Sequence, residues 1–133
     1  MTDQSLNKDS EKRKYQRLSS VFPIQFTIVR LQGDLPGIDW LEGTTRNVSQ
    51  GGLCLETTQL TESAIKYLNK QNIFLELRIT MTDGSIKTVV EVAWYKKIEG
   101  DVLNLYFIGV QFHSIHDSEL NRLMQHAQDF VTL

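Results

Sequence analysis

Two apolar runs, residues 73–81 and 86–98, flank Thr82-Asp83-Gly84-Ser85, and no other feature restricts the fold of this chain more. Both runs are strongly strand-like. Asp-Gly between such runs marks a hairpin, because both central residues of a type I′ turn need φ above zero. A period of two recurs upstream in residues 22–31, where Phe22, Ile24, Phe26 and Ile28 predict one buried strand face. Pro23 suits the entry of that strand, where its missing N–H does no harm. Residues 32–37 read as a turn. A second strand is expected over roughly 38–47, a tight connection over 48–52 and a third strand over 53–57. Residues 61–69 predict a short helix capped by Thr61, with Ile65 and Leu68 on one side. Glu99-Gly100-Asp101 forms the next turn, and residues 103–112 form the sixth strand. Six strands joined mainly by hairpins imply a mainly β fold, an antiparallel sheet that closes or nearly closes.

The last segment changes period. Leu120, Leu123, Met124, Ala127, Phe130 and Val131 fall at helical spacing over about 117–131, with Asp117 or Ser118 as N-cap. That helix must lay its apolar stripe on the open end or outer face of the barrel, or on a partner.

The chain has 133 residues, 41% of them apolar and 23% charged, which suits one ordinary domain. No apolar run approaches the ~20 residues needed to cross a bilayer, so no membrane insertion is expected. Residues 1–20 are polar, which argues against a secretory signal. A single cysteine, Cys54, cannot form an internal disulfide and fits a reducing compartment, so the expected location is cytoplasmic. Charge is unevenly spread. Residues 1–20 carry five basic groups against three acids, whereas the other 113 carry nine against thirteen. The isoelectric point, near 5.9, speaks against a duplex-binding surface, and no DNA or RNA partner is expected. One short positive segment matches a small anion better. With few apolar side chains, that segment reads as a flexible basic arm, assigned to 1–11, ahead of a domain over 12–133.

Two local patterns carry chemistry. The first, Arg13-Lys14-Tyr15-Gln16-Arg17, is an R-x-x-x-R pair whose spacing puts both guanidinium groups on one side of the backbone. Each planar fork can grip phosphate or the O6/N7 edge of guanine, or stack on a base. The second, Asn47-Val48-Ser49-Gln50-Gly51-Gly52, is an N-x-S-x-x-G turn between strands. Its Asn47 and Ser49 oxygens can accept from guanine N1–H and N2, while Gly51 and Gly52 allow close backbone approach and a positive φ.

An R-x-x-x-R pair followed by [D/N]-x-S-x-x-G resembles the PilZ domain family. Val92-Ala93-Trp94 and Ile108-Gly109-Val110-Gln111-Phe112 resemble the family's late strands, and a C-terminal helix is common there. The resemblance implies a six-stranded antiparallel β-barrel with a C-terminal helix that binds cyclic di-GMP. On that likeness Arg13 and Arg17 contact guanine and phosphate, and Asn47, Ser49 and Gly52 hold a guanine edge. Lys12 and Gly51 are additional candidate contacts. Asn47 stands where many members carry Asp, so its bond to guanine lacks the strengthening charge.

No paired carboxylates, Ser-His-Asp set or Cys-His set falls in a common site, so no enzyme activity and no cofactor are expected. His113, His116 and His126 lack companion ligands and read as surface histidines rather than a metal site. Trp94, Tyr95, Tyr106 and Phe107 read as barrel packing. The expected function is a cyclic di-GMP receptor, monomeric or homodimeric, that orders its arm on binding and signals to an unidentified protein effector in motility, adhesion or exopolysaccharide control. The alternatives are a ligand-independent interaction module using the C-terminal helix and an OB-like single-strand nucleic-acid binder.

Overall fold

A computed structural model of the chain describes residues 18–19, 21–29, 39–70 and 73–132. The strands, in chain order, are β1 (Leu18–Ser19), β2 (Pro23–Val29), β3 (Leu41–Val48), β4 (Gly52–Thr57), β5 (Phe74–Met81), β6 (Gly84–Ile98) and β7 (Leu105–Ser114). Helix α1 (Glu62–Leu68) links β4 to β5, and α2 (Asp117–Thr132) follows β7. All pairings are antiparallel and run β3–β2–β5–β6–β7–β4, and β4 returns to β3. Six strands thus close on themselves, as the sequence predicts. β1 lies on the same edge of β3 as β2, with Leu18 opposite Val48 and Ser19 opposite Asn47.

The core follows from alternation. Ile24, Phe26 and Ile28 point inward and are at most 3% exposed. From β5, Leu75, Leu77 and Ile79 meet them, and Ile86, Val90, Leu55 and Ile108 complete the ring. Each such side chain contributes about 1.5–3 kcal/mol by leaving water. Buried Thr45 supplies the polar link: its Oγ accepts the Phe22 N–H at 2.9 Å, and its own N–H donates to the Phe22 carbonyl. That pair continues the β3 edge through the gap between β1 and β2.

Four local expectations need correction. The hairpin pairs Met81 with Gly84, so Thr82-Asp83 occupy the turn and Gly84, at φ +133°, opens β6. The glycine still takes the backbone conformation other residues avoid, one position later than expected. Helix α1 is capped by the Thr61 hydroxyl, which accepts from the Ala64 N–H at 3.1 Å, but its buried pair is Ala64 and Leu68, with Ile65 half-buried. In α2 the first helical bond runs from the Leu120 N–H to the His116 carbonyl, so Asp117 stands in the first turn rather than at the cap. The sixth barrel strand spans Leu105–Ser114, two residues later than its sequence signal.

Helix α2 lies against β1 and sends Leu123 and Ala127, both fully buried, into the barrel core. Its polar side is fastened to the β5–β6 turn. Asp83 faces Arg122 Nε at 3.5 Å and His126 Nε2 at 3.2 Å, while an Arg122 terminal N–H donates to the Ser85 carbonyl at 3.3 Å. The bond to His126, with the Arg122 charge behind it, holds the Asp83 carboxyl below the ordinary carboxylate range. His126 is therefore a half-buried fastening, not the free surface histidine that spacing suggests.

The register gives the barrel two unlike rims. One carries β1, the β3–β4 connection, the β5–β6 turn and the start of α2. The other carries α1 and the 99–104 loop between β6 and β7.

Candidate functional site

The β3–β4 connection is built on the first rim. The Ser49 N–H donates to the Gly52 carbonyl at 2.8 Å, and the Ser49 hydroxyl donates to the same oxygen at 3.2 Å. The Ser49 lone pairs stay open as acceptors. The Gly51 carbonyl takes the Phe112 N–H at 2.9 Å, which ties the turn to β7. Gly52 is required for space: a Cβ there would run into the Val110 carbonyl and stand 2.9 Å from the Gln111 Cα. Neither Gly51 nor Gly52 has a positive φ, so close approach rather than chain reversal is what this pair supplies. Asn47 and Ser49 are half-buried on the rim, within one short turn of Gly52.

The outer wall beside this turn is partly covered, since Cys54 and Gly109 are buried although they face away from the core. Asn47 on β3, Cys54 on β4, Gly109 on β7 and Trp94 on β6 pair in succession and form one cross-strand row. Directly opposed residues share a sheet face, and Leu53 and Leu55 fill the core, so this row faces outward. Its middle members are small. The indole of Trp94 leans onto Gly109, where any Cβ would strike it, and remains 44% exposed. At about 4.8 Å per strand, Asn47 and the Trp94 backbone stand some 14 Å apart, the scale of a dinucleotide. Along the side of the row away from the motif turn, Arg46 reaches across β4 and rests 4.3 Å above the Phe107 ring. An exposed contact of this kind is worth about 0.5–1 kcal/mol.

Residues 11–129 match the family model described as PilZ domain. The chain belongs to the PilZ domain family. Solved structures share its fold at low identity. The PilZ domain of YcgR from Escherichia coli, determined with c-di-GMP, aligns with a TM-score of 0.57 at 12% identity, covering 91% of this chain and 89% of that one. The Bacillus subtilis inhibitor of motility, MotI/DgrA, aligns at 0.61 and 16% identity, covering 88% and 50%. MrkH of K. pneumonia in its apo state aligns at 0.63 and 20%, covering 88% and 49%. This PilZ chain thus spans about half the length of MotI and MrkH. No curated protein matches it.

Within this PilZ domain, Asn47, Ser49, Gly51 and Gly52 come together as the spacing predicts. Lys12, Arg13 and Arg17 lie outside the described residues, as does the turn expected over 32–37. Leu18, bonded to Arg17, is paired with Val48 between Asn47 and Ser49. Sequence reasoning missed the wall. Tyr106 is buried and Tyr95 is half-buried, its hydroxyl donating to Asn69 Oδ1 at 2.6 Å, but Trp94 lies outside the barrel and Phe107 lies under Arg46. One legible signal was a large aromatic and a glycine in the paired strands, since a glycine in a strand interior marks close approach. Among the described residues no group of three or more His, Cys, Asp and Glu is placed to hold a metal, and no helix is long and apolar enough to cross a membrane.

Proposed function

We propose that this PilZ domain is a receptor for cyclic di-GMP that signals to a protein partner and performs no turnover. The carrying observation is the rigid turn Asn47–Gly52, standing where the chain arrives from Arg17 through the Leu18–Val48 pair. In this reading residues 1–11 form the leading arm of a functional unit over 12–133. Arg13 and Arg17, just behind that arm, close on the ligand and grip guanine and phosphate. Asn47 and Ser49 accept from a guanine edge, and Gly52 lets the backbone lie close to it. Lys12 and Gly51 add contacts at the margin. The row from Asn47 to Trp94 is the bed beneath, and the open indole face gives a base something to stack on. YcgR, MrkH and PlzA of Borreliella burgdorferi have each been determined with c-di-GMP, which supports the choice of ligand.

Closure of the arm creates a surface that the partner reads, in the cytosol, where the effector controls motility, adhesion or exopolysaccharide export. A module that works through its C-terminal helix alone is disfavoured, because Leu123 and Ala127 already serve the barrel's own core. Isothermal titration with cyclic di-GMP tests the proposal. Wild type should bind in the micromolar range or tighter, Arg17→Ala should lose at least tenfold, and Asn47→Asp should gain from its added charge. No heat from the wild-type protein, or equal binding by Arg17→Ala, refutes it. Appearance of linear dinucleotide in the same mixture refutes the claim of no turnover.

A further inference from the structure

The register of β3 slips between Thr45, opposite Leu55, and Asn47, opposite Cys54. Arg46 is the extra residue of this bulge. Bulges re-aim side chains, and here the effect is visible: Arg46 and Asn47 both stand on the outer face, although neighbours in a regular strand alternate. From there the Arg46 side chain crosses β4 and sets its guanidinium on Phe107, which precedes Gly109 by two positions on the same face of β7. Two residues along a strand is about 7 Å, so the cation lies beside the Asn47–Trp94 row and within a nucleotide's reach of it.

Among the described residues the charge has no acidic partner. Arg46 is exposed and makes no ion pair among the described residues. The acid on its face, Glu56, instead takes the Thr44 hydroxyl at 3.5 Å. One flat side of the guanidinium is occupied by Phe107, and among the described residues none accepts a hydrogen bond from its in-plane N–H donors. A planar fork held in place this way loses little freedom when it meets an anion, and its geometry matches two phosphate oxygens.

We propose that Arg46 is a third arginine of the ligand site, supplied by the barrel wall rather than the arm, and that it takes a phosphate of the cyclic dinucleotide. This rests on the receptor reading above. It differs in origin, because Arg46 belongs to a barrel strand whereas the R-x-x-x-R pair precedes the first one.

The test is calorimetric titration of the full chain with cyclic di-GMP for wild type, Arg46→Ala and Arg46→Gln. Thermal unfolding of each confirms that the barrel is intact. Both variants should weaken binding about ten- to a hundredfold, the range for a charge-assisted bond. Repeating the series from about 50 to 300 mM salt should show a shallower loss of affinity for the variants, since they have lost a phosphate contact. A residue that only props up the wall would leave that slope unchanged. If wild type binds while the variants stay within twofold of it with the same slope, the assignment of Arg46 is overturned and the receptor reading stands. If wild type does not bind, both fall together.

Discussion

Gly52 and Gly109 both have too little room for a methyl group, but what each presses against differs, and so should the consequence. A Cβ at Gly52 meets the Val110 carbonyl and Gln111 Cα, which are backbone of β7. Those atoms can move only if β4 and β7 part, loosening the bond from the Phe112 N–H to the Gly51 carbonyl. At Gly109 the obstacle is the Trp94 indole, a side chain already 44% exposed that can swing outward. Overpacking a tight site costs about 1–3 kcal/mol. We place Gly52→Ala at the top of that range and Gly109→Ala at the bottom. With an unfolding entropy of about 2.1 cal/mol/K per residue, 133 residues lose roughly 3.5 °C of Tm per kcal/mol. Gly52→Ala should therefore melt about 10 °C early and Gly109→Ala about 3–4 °C early. Emission tells them apart. In a Trp40→Phe background, where Trp94 is the sole indole, Gly109→Ala should shift emission to the red while Gly52→Ala leaves it in place. Equal losses of Tm, or a red shift in the Gly52 variant alone, would refute the distinction between backbone and side-chain obstacles.

Two further outcomes follow from the hydrogen bonds. Thr45→Val removes the acceptor of the buried Phe22 N–H and should cost about 1–3 kcal/mol, whereas Thr45→Ser should restore most of it; chemical denaturation of the pair measures both, and an equal loss in the two rules the bond out. The bond to His126 holds the Asp83 carboxyl below the ordinary carboxylate range, so its stabilisation is fully present above the unfolded pKa and is lost as pH falls through the lower folded one. The Tm gap between wild type and Asp83→Asn should accordingly narrow between about pH 5 and pH 2, and a gap that stays constant would show that the carboxylate does not hold α2.

The strands were legible because each buries one face, and alternation such as Ile24-Phe26-Ile28 has no other use. The turn at Asn47–Gly52 was legible because serine and glycine have few reasons to stand so spaced. The outer wall was not. Whether Trp94 lies inside or outside depends on a register slip between Val92 and Trp94, which reverses the alternation of β6 after that point. Likewise Arg46 owes its direction to a bulge in β3. Such slips arise when strands of unequal length are bent into a closed ring, a tertiary demand with little trace in local spacing. The clasp of Asp83 by Arg122 and His126 was hidden for a similar reason, since it joins positions about 40 residues apart that only the completed barrel makes neighbours.

The loop 99–104 stands on the rim opposite the motif turn, with Val102 91% and Leu103 63% exposed. Gly100 is pressed to the Leu103 carbonyl, which keeps the mouth of the loop narrow. A fluorescent protein or affinity handle spliced between Asp101 and Val102 would hang from the side remote from Asn47 and Ser49. That position offers a route to a genetically encoded sensor whose reporter neither blocks nor borrows from the recognition surface.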